Sequence, residues 1–413
     1  MNAPSAQPPA DRTFVLADTP AAIEAAATHL ASGRGRYAVD VERAPSHQYS
    51  PDACLVQIAR EGAGTFLFDA HLQPQAVAEH LATLLNGQDW LLHSGANDLP
   101  NLHTLGLTPG SVVDTEITAR ILDLPKVNLA TLAEHCVGVH LAKGFGQENW
   151  ASRPLPTSWQ HYAAMDVFYL NAIDEVLRQE IHAQGKQRIF EEEMAWQTHL
   201  YQHFQSPSRT WLDIKGVHRL RTRQQLAAAQ ALWQVRERIA QEHDLPVAQV
   251  LKDSHLITLA SKLPRGWRDA QRLLPPQATR PAWMHSFVGC ILDTLRAPKH
   301  SYPELAPSSS FTAGSDHIKV PPRNQWQALA PDAYKCYGQV EAELREIASS
   351  LDVPLDILLT PAVLREVVWS AVVLGQLHNR SQIHDALRQA GARPWQREAV
   401  LEVLVHALID QRA

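Results

Sequence analysis

The stretch Tyr37–Ala44, YAVDVERA, sets an aspartate and a glutamate two residues apart in an apolar run that alternates as a β-strand does. Successive strand side chains point to opposite faces, so Tyr37, Val39 and Val41 share one face and Ala38, Asp40 and Glu42 the other. Strands are poor in Asp, and two carboxylates about 7 Å apart on one face repel each other. That spacing also lets both reach a common metal cluster. The alternative is an exposed edge strand whose acidic face is simply solvated.

The flanking sequence gives this strand its context. Thr19 followed by Pro20 starts a helical pattern that stops at Gly33, an N-cap and first-turn proline with a glycine stop. Beyond the opening stretch, ACLVQIAR (Ala53–Arg60) and GTFLFDA (Gly64–Ala70) form two more strand patterns joined by an EGAG hairpin loop. DWLLHSG (Asp89–Gly95) is a fourth. Helical patterns then take over: DLPNLHTLG, DTEITARILDL, NLATLAEHCVG and the long run Ser158–Gln184. Strands first, then strands alternating with helices, predict an α/β domain with a mixed sheet.

From about Arg209 the strand signal fades and helices dominate. Residues Ala297–Trp326, rich in Pro, Ser and Gly, predict a linker. The segments on either side of it align without gaps. Ile239, Ala240, Pro246 and Leu251 match Ile347, Ala348, Pro354 and Leu359 at a constant offset of 108, which predicts a duplicated small helical domain. The organisation expected is a disordered lead over 1–12, the α/β domain over 13–205, helical domains over 208–297 and 329–413, and the linker over 298–328.

Composition narrows the function classes. The chain has 413 residues, is 45% apolar and 19% charged, and carries a net charge of −6. A uniformly basic nucleic-acid coat is excluded, although a local basic groove is not. The four cysteines are widely spaced with no C-x-x-C pair, which argues against a disulfide scaffold and fits a reducing cytoplasm. The first residues, MNAPSAQPPADRT, lack the apolar core of a signal peptide, and no apolar run reaches the ~20 residues of a membrane span. The expected protein is cytoplasmic and free of membrane, with a monomer favoured.

Two further acidic features join the opening stretch. In LLHSGANDLPNL, Asp98 follows a strand and a short polar loop, at the carboxyl end of a strand where α/β sites collect; a plain N-cap aspartate is the alternative. In WQHYAAMDVFYL, Tyr162 and Asp166 lie four apart, on one face of a helix whose other residues are mostly apolar. A buried Tyr needs a hydrogen-bond partner and a buried Asp a cation.

The order and spacing of D-x-E, the Asp after HSGAN, and Y-x-x-x-D resemble the DEDD exonucleases of the tyrosine-containing subclass over roughly residues 15–185. The helical duplication resembles tandem HRDC domains. An exonuclease followed by two such modules is the layout of the ribonuclease D family. The resemblance implies a ribonuclease-H-like α/β exonuclease domain followed by two all-α HRDC-like domains. It implies that Asp40, Glu42, Asp98 and Asp166 hold two divalent cations, Mg²⁺ or Mn²⁺, with Asp40 bridging them and Tyr162 orienting the attacking water. Two such ions stabilise the attacking and leaving oxygens of a phosphodiester, and a hard cation suits a site of carboxylates. The implied activity is 3′–5′ trimming of RNA ends, with transfer-RNA precursors as substrate. DNA trimming, with single-stranded DNA as partner, and a nuclease-derived binding protein without activity are the alternatives.

Other residues are candidates for nucleic-acid contact. Arg43 follows the first motif where the family often has an aromatic or small polar residue; it contacts a phosphate or points outward. Lys143, Gln147, Trp150 and Arg153 lie on the stretch before the tyrosine helix and line the nucleic-acid path or a solvent-facing loop with a packed Trp. Arg219, Arg221 and Arg223 belong to the most basic window identified, Ser208–Gln225, which touches RNA backbone or is solvated surface. His135, Cys136 and His140 have zinc-like spacing but lack an evident fourth ligand. His93 is expected to be structural.

Overall fold

The computed structural model describes residues 14–50, 52–142, 144–206, 209–304 and 320–410; the expected lead and the middle of the expected linker, 305–319, lie outside the described residues. The opening stretch lies on β2 (Arg34–Arg43). With β1 (Phe14–Ala17), β3 (Ala53–Glu61), β4 (Gly64–Phe68), β5 (Asp89–Leu92) and β6 (Ser111–Asp114) it forms a six-stranded sheet of order β1-β4-β3-β2-β5-β6. β2 pairs antiparallel with β3 and parallel with β5, so the sheet is mixed, as the pattern of strands and helices predicts.

Among the described residues eight α-helices belong to this domain: α1 (Pro20–Ala31), α2 (Pro74–Leu85), α3 (Leu99–Thr104), α4 (Thr115–Ile121), α5 (Leu129–Val137), α6 (Thr157–Phe168), α7 (Leu170–Ala183) and α8 (Gln187–Gln202). The alternation on β2 sorts its side chains between layers. Tyr37, Val39 and Val41 join Ile23 and Leu30 of α1 and Val77 and Leu81 of α2 in one core. On the other face Ala38 joins a second core with Val167, Ile173 and Leu177 of α6 and α7. Burying each large apolar side chain contributes about 1.5–3 kcal/mol. The single helical pattern over Ser158–Gln184 divides at Tyr169. α6 thereby crosses β2, β3 and β4, while α7 packs on α4 and α5.

Two helical units follow. The first comprises α9 (Arg223–Glu242), α10 (Val247–Val250), α11 (Asp253–Lys262), α12 (Trp267–Leu273) and α13 (Pro281–Arg296). The second comprises α14 (Trp326–Leu329), α15 (Pro331–Ser350), α16 (Leu355–Leu358), α17 (Pro361–Val372), α18 (Arg380–Gln389) and α19 (Pro394–Val405). The bounds of α9 and α10 recur in α15 and α16 at the offset of 108 seen in the sequence. The turns also repeat. Asp244 and Asp352 adopt the left-handed region at φ 46 and 53, which Asp visits more readily than most side chains. Leu245 N donates to Ala240 O (2.9 Å) and Val353 N to Ala348 O (3.0 Å), closing each helix in the same way.

The same turn aspartate attaches each unit to the α/β domain. Asp244 accepts from Gln48 Nε2 (3.0 Å) and Tyr49 N (3.1 Å), in the loop after β2. Asp352 accepts from the buried Lys186 Nζ (3.1 Å). The second unit is fastened further by Glu193, itself 1% exposed, which accepts from Arg393 Nε (2.7 Å) and Trp395 Nε1 (3.0 Å). Among the described residues no helix is long and apolar enough to cross a membrane.

Candidate active site

Three elements bring the acidic residues together. On β2 the pairing with β3 slips after Glu42: Glu42 opposes Leu55, and Arg43 opposes Ala53. Such a bulge bends a strand and re-aims its side chains, and here it falls at the acidic motif.

The second element is the turn after β5. Ser94 sits in the left-handed region at φ 57, a conformation that costs a non-glycine residue about 1–2 kcal/mol. Asp114, at the end of β6, holds that turn by accepting from Ser94 N (3.0 Å) and Gly95 N (2.9 Å). Gly95 has no alternative, because a Cβ there would lie 2.4 Å from the Tyr201 hydroxyl. Asp98 follows as the residue preceding α3. It makes no capping hydrogen bond, and its side chain lines the cavity described below.

The third element is α6, whose Ala163, Ala164 and Val167 are buried. The same helix carries Tyr162 and Asp166 one turn apart. The Tyr162 ring stands edge-on to Phe145 (5.7 Å, 81°) and near Trp150 (6.4 Å), and its hydroxyl hydrogen-bonds to Asp166.

Carboxylate oxygens of Asp40, Glu42 and Asp166 lie within 4.8 Å of one another. With Asp98 and Tyr162 they line a cavity of about 340 Å³ that Arg43, His93, Asn97 and Gln147 also border. Burial pushes Asp40 up to about 6. Burial, then repulsion from Asp40, Asp166 and Asp98, pushes Glu42 up to about 10, against the pull of Arg43. Burial and then Asp40 raise Asp98 to about 9 and hold Asp166 well above the usual carboxylate range. Four carboxylates so placed ionise together only when a cation joins them. An all-oxygen donor set is what a hard divalent cation takes, so these residues fit such an ion. Burial and then Asp166 raise Tyr162 as well, so its phenol keeps its proton at neutral pH. His93, lowered to about 4 by burial, is neutral there, with Nδ1 2.9 Å from Thr115 Oγ1.

The expected nucleic-acid contacts divide. Arg43 and Gln147 border the cavity, and Arg219 and Arg221 are exposed. Lys143 lies outside the described residues. Two expectations, Trp150 and Arg153, are corrected. Trp150 is 0% exposed and donates its Nε1 to Phe145 O (3.1 Å); it is the core against which Tyr162 rests. Arg153 is saturated by Asp69, with Nε–Oδ2 and Nη2–Oδ1 both 2.6 Å, and by the Trp150, Ser152 and Cys54 carbonyls, so it has no donor left for a phosphate. Arg223 donates to the Tyr302 and Pro303 carbonyls (2.6 and 3.1 Å) and ties down the chain leaving α13. His135 pairs with Glu180 (2.9 Å), and among the described residues the only metal-like cluster is the one on β2 and α6. Asp114 and Tyr201, which shape the Asp98 turn, are not singled out by the sequence patterns. The one signal for Asp114 is its place at the start of the helical pattern DTEITARILDL.

Comparisons place this geometry among known proteins. Residues 14–182 match the family model described as 3′-5′ exonuclease, residues 225–278 match the HRDC domain, and residues 319–408 match a model described as 3′ to 5′ exonuclease C-terminal domain. Ribonuclease D of Sphingobium indicum is 31% identical over 61% of this chain and 64% of its own length. Ribonuclease D of Escherichia coli is 32% identical over 55% and 60%. The chain thus spans less than two thirds of the length of these relatives. A protein of Bifidobacterium adolescentis has a similar structure, with TM-score 0.80, 28% identity, and 95% and 96% of the two chains covered. The Escherichia coli RNase D structure, described as an exoribonuclease involved in structured RNA processing, has TM-score 0.68 at 22% identity over 92% and 99%, a likeness of fold.

Proposed function

We propose, from the premise that this chain belongs to the ribonuclease D family, that it hydrolyses RNA stepwise from the 3′ end with the help of two divalent cations, Mg²⁺ or Mn²⁺. The observation that carries the proposal is the convergence of Asp40, Glu42 and Asp166 oxygens within 4.8 Å, in one cavity with Asp98 and Tyr162. Asp40, Glu42, Asp98 and Asp166 would hold the ions. When bound, such ions neutralise charge developing on the attacking and leaving oxygens of an in-line displacement.

The chain's own residues do the rest. Tyr162, protonated and hydrogen-bonded to Asp166, positions the attacking water as a hydrogen-bond partner and does not remove its proton. The packing of Phe145 and Trp150 fixes the ring, so the hydroxyl is oriented before substrate arrives. Arg43, at the edge of the acidic cavity, supplies the positive charge within it that a phosphate meets. Water oxygen bonds to phosphorus as the P–O3′ bond breaks. The products are a nucleoside 5′-monophosphate and a chain one residue shorter with a free 3′-hydroxyl.

The substrates proposed are RNAs with unpaired 3′ ends, transfer-RNA precursors among them. The test is a time course on matched RNA and DNA oligonucleotides carrying a 5′ label, with Mg²⁺, with Mn²⁺ and with EDTA. A descending ladder one nucleotide apart, from RNA and only with metal, is expected. Fragments from internal cleavage, or faster loss of the DNA, would overturn the proposal.

A further inference from the structure

The first helical unit carries a second cavity, of about 270 Å³, whose walls include Trp267, Leu274, Pro275, Pro276, Thr279 and Met284. Its position on α12 and α13 places it in a unit separate from the carboxylate site. Three independent features of it point to one kind of ligand.

The first is a flat aromatic wall. Trp267 stacks on the exposed His285 with ring centroids 4.6 Å apart and planes 12° from parallel. A planar, rigid, apolar border of this kind suits a planar heterocycle. The second is an orphaned polar group. Thr279 is only 9% exposed, and its hydroxyl is buried without a hydrogen-bond partner. An unsatisfied buried hydroxyl is costly, and a ligand edge bearing donors and acceptors removes that cost. The third is charge. Lys262–Arg280 contains Lys262, Arg265, Arg268, Arg272 and Arg280 against the single acid Asp269. All four arginines are exposed, and Arg265 and Arg268 have no acidic partner among the described residues. Arg280 lies over Trp283 (4.5 Å to the ring centroid) and Arg272 beside Asp269 (3.9 Å).

An aromatic wall, an unpaired hydroxyl and four exposed arginines on the segment that bears both match a nucleobase attached to a polyanion. We propose that this cavity receives an unpaired base of single-stranded RNA, stacked against Trp267 and hydrogen-bonded by Thr279, while the arginines hold the flanking phosphates. The inference rests on the exonuclease reading for its choice of RNA. It adds a grip remote from the scissile bond, so that an RNA long enough to reach both places is held at two points.

The test uses the full chain in EDTA, so that binding is read without hydrolysis. Single-stranded RNAs of about 20 and about 4 nucleotides are titrated against the parent, Trp267→Ala and Thr279→Val. Thr279→Val keeps the side-chain shape and removes only the hydroxyl; thermal unfolding checks that each variant is folded. Loss of one stacked base predicts roughly tenfold weaker binding of the long RNA by Trp267→Ala, and loss of one hydrogen bond roughly three- to fivefold by Thr279→Val. The short RNA, long enough to fill the cavity with one base and its flanking phosphates, weakens with the same two variants. With metal restored, KM for the long RNA rises by similar factors and kcat is unchanged. Unchanged long-RNA affinity in Thr279→Val and Trp267→Ala overturns the proposal. If the parent cleaves no RNA yet its binding depends on Trp267 and Thr279, the catalytic reading falls and the cavity stands. If the parent cleaves RNA and both variants match it, the reverse holds.

Discussion

Tyr162 and its neighbour Asp166 show how a single hydrogen bond sorts chemical roles. The phenol is half-buried beside carboxylates, which raises its pKa, so in the proposed mechanism it donates and does not act as a base. Tyr162→Phe keeps the ring packed against Phe145 and Trp150 and removes only the hydroxyl. Its kcat is expected to fall about 10²-fold with KM and metal affinity nearly unchanged, measured by steady-state release of nucleotide. A rise in KM with kcat unchanged would assign Tyr162 to substrate binding instead. Trp150 and Arg153 show the limit of residue-level reading. An aromatic and a cation just before the helix of Tyr162 and Asp166 look like RNA contacts in a sequence. Burial of the indole and the Asp69 carboxylate facing the guanidinium, 84 positions away, turn both into structure.

At the scale of elements, the paired turns at Asp244 and Asp352 connect the helical units to the α/β domain. Asp244 holds the loop Ser46–Ser50, which leads out of the strand bearing Asp40 and Glu42, and Gln249 Nε2 adds a bond to Ser46 O (3.2 Å). Asp244→Ala is expected to raise hydrogen exchange across residues 46–50 about tenfold, since each lost bond contributes about 0.5–1.5 kcal/mol. The protection of β3 and β4 stays unchanged. Equal exchange in parent and variant would mean that the loop is held by other contacts. Much of this level was legible in the sequence. The alternation over Tyr37–Glu42 assigned both faces of β2, the Thr19–Pro20 start located α1, and the 108-residue offset located the repeated helices. The edge strands β1 and β6 were not legible, because FVLA and SVVD are too short to display a period of two. Nor was the attachment of the second unit through Glu193 and Arg393, a pairing 200 residues apart that no local pattern encodes.

For the whole molecule, the acidic cluster is a stability cost that depends on pH and metal. The folded-state values of Asp40, Asp98 and Glu42, about 6, 9 and 10, lie above those of an unfolded chain. The stability these groups contribute is therefore full below the unfolded values near 4 and is lost as pH rises through the folded ones. In EDTA the Tm is expected to fall between pH 5 and pH 9. Saturating Mn²⁺ should raise Tm more at pH 8 than at pH 5.5, with about 2.7 kcal/mol available at a hundred times Kd. A cation effect independent of pH would place the bound ion elsewhere. The most direct test of the central claim, that these carboxylates form a metal-dependent hydrolytic centre, is the single-turnover rate of 3′-nucleotide release as Mn²⁺ is titrated into the parent and into Asp40→Asn. The parent rate is predicted to rise from zero and saturate, and the Asp40→Asn rate to stay at least about 10³-fold lower at every concentration, as removal of a principal electrostatic contact implies. Equal saturating rates in the two proteins would contradict it.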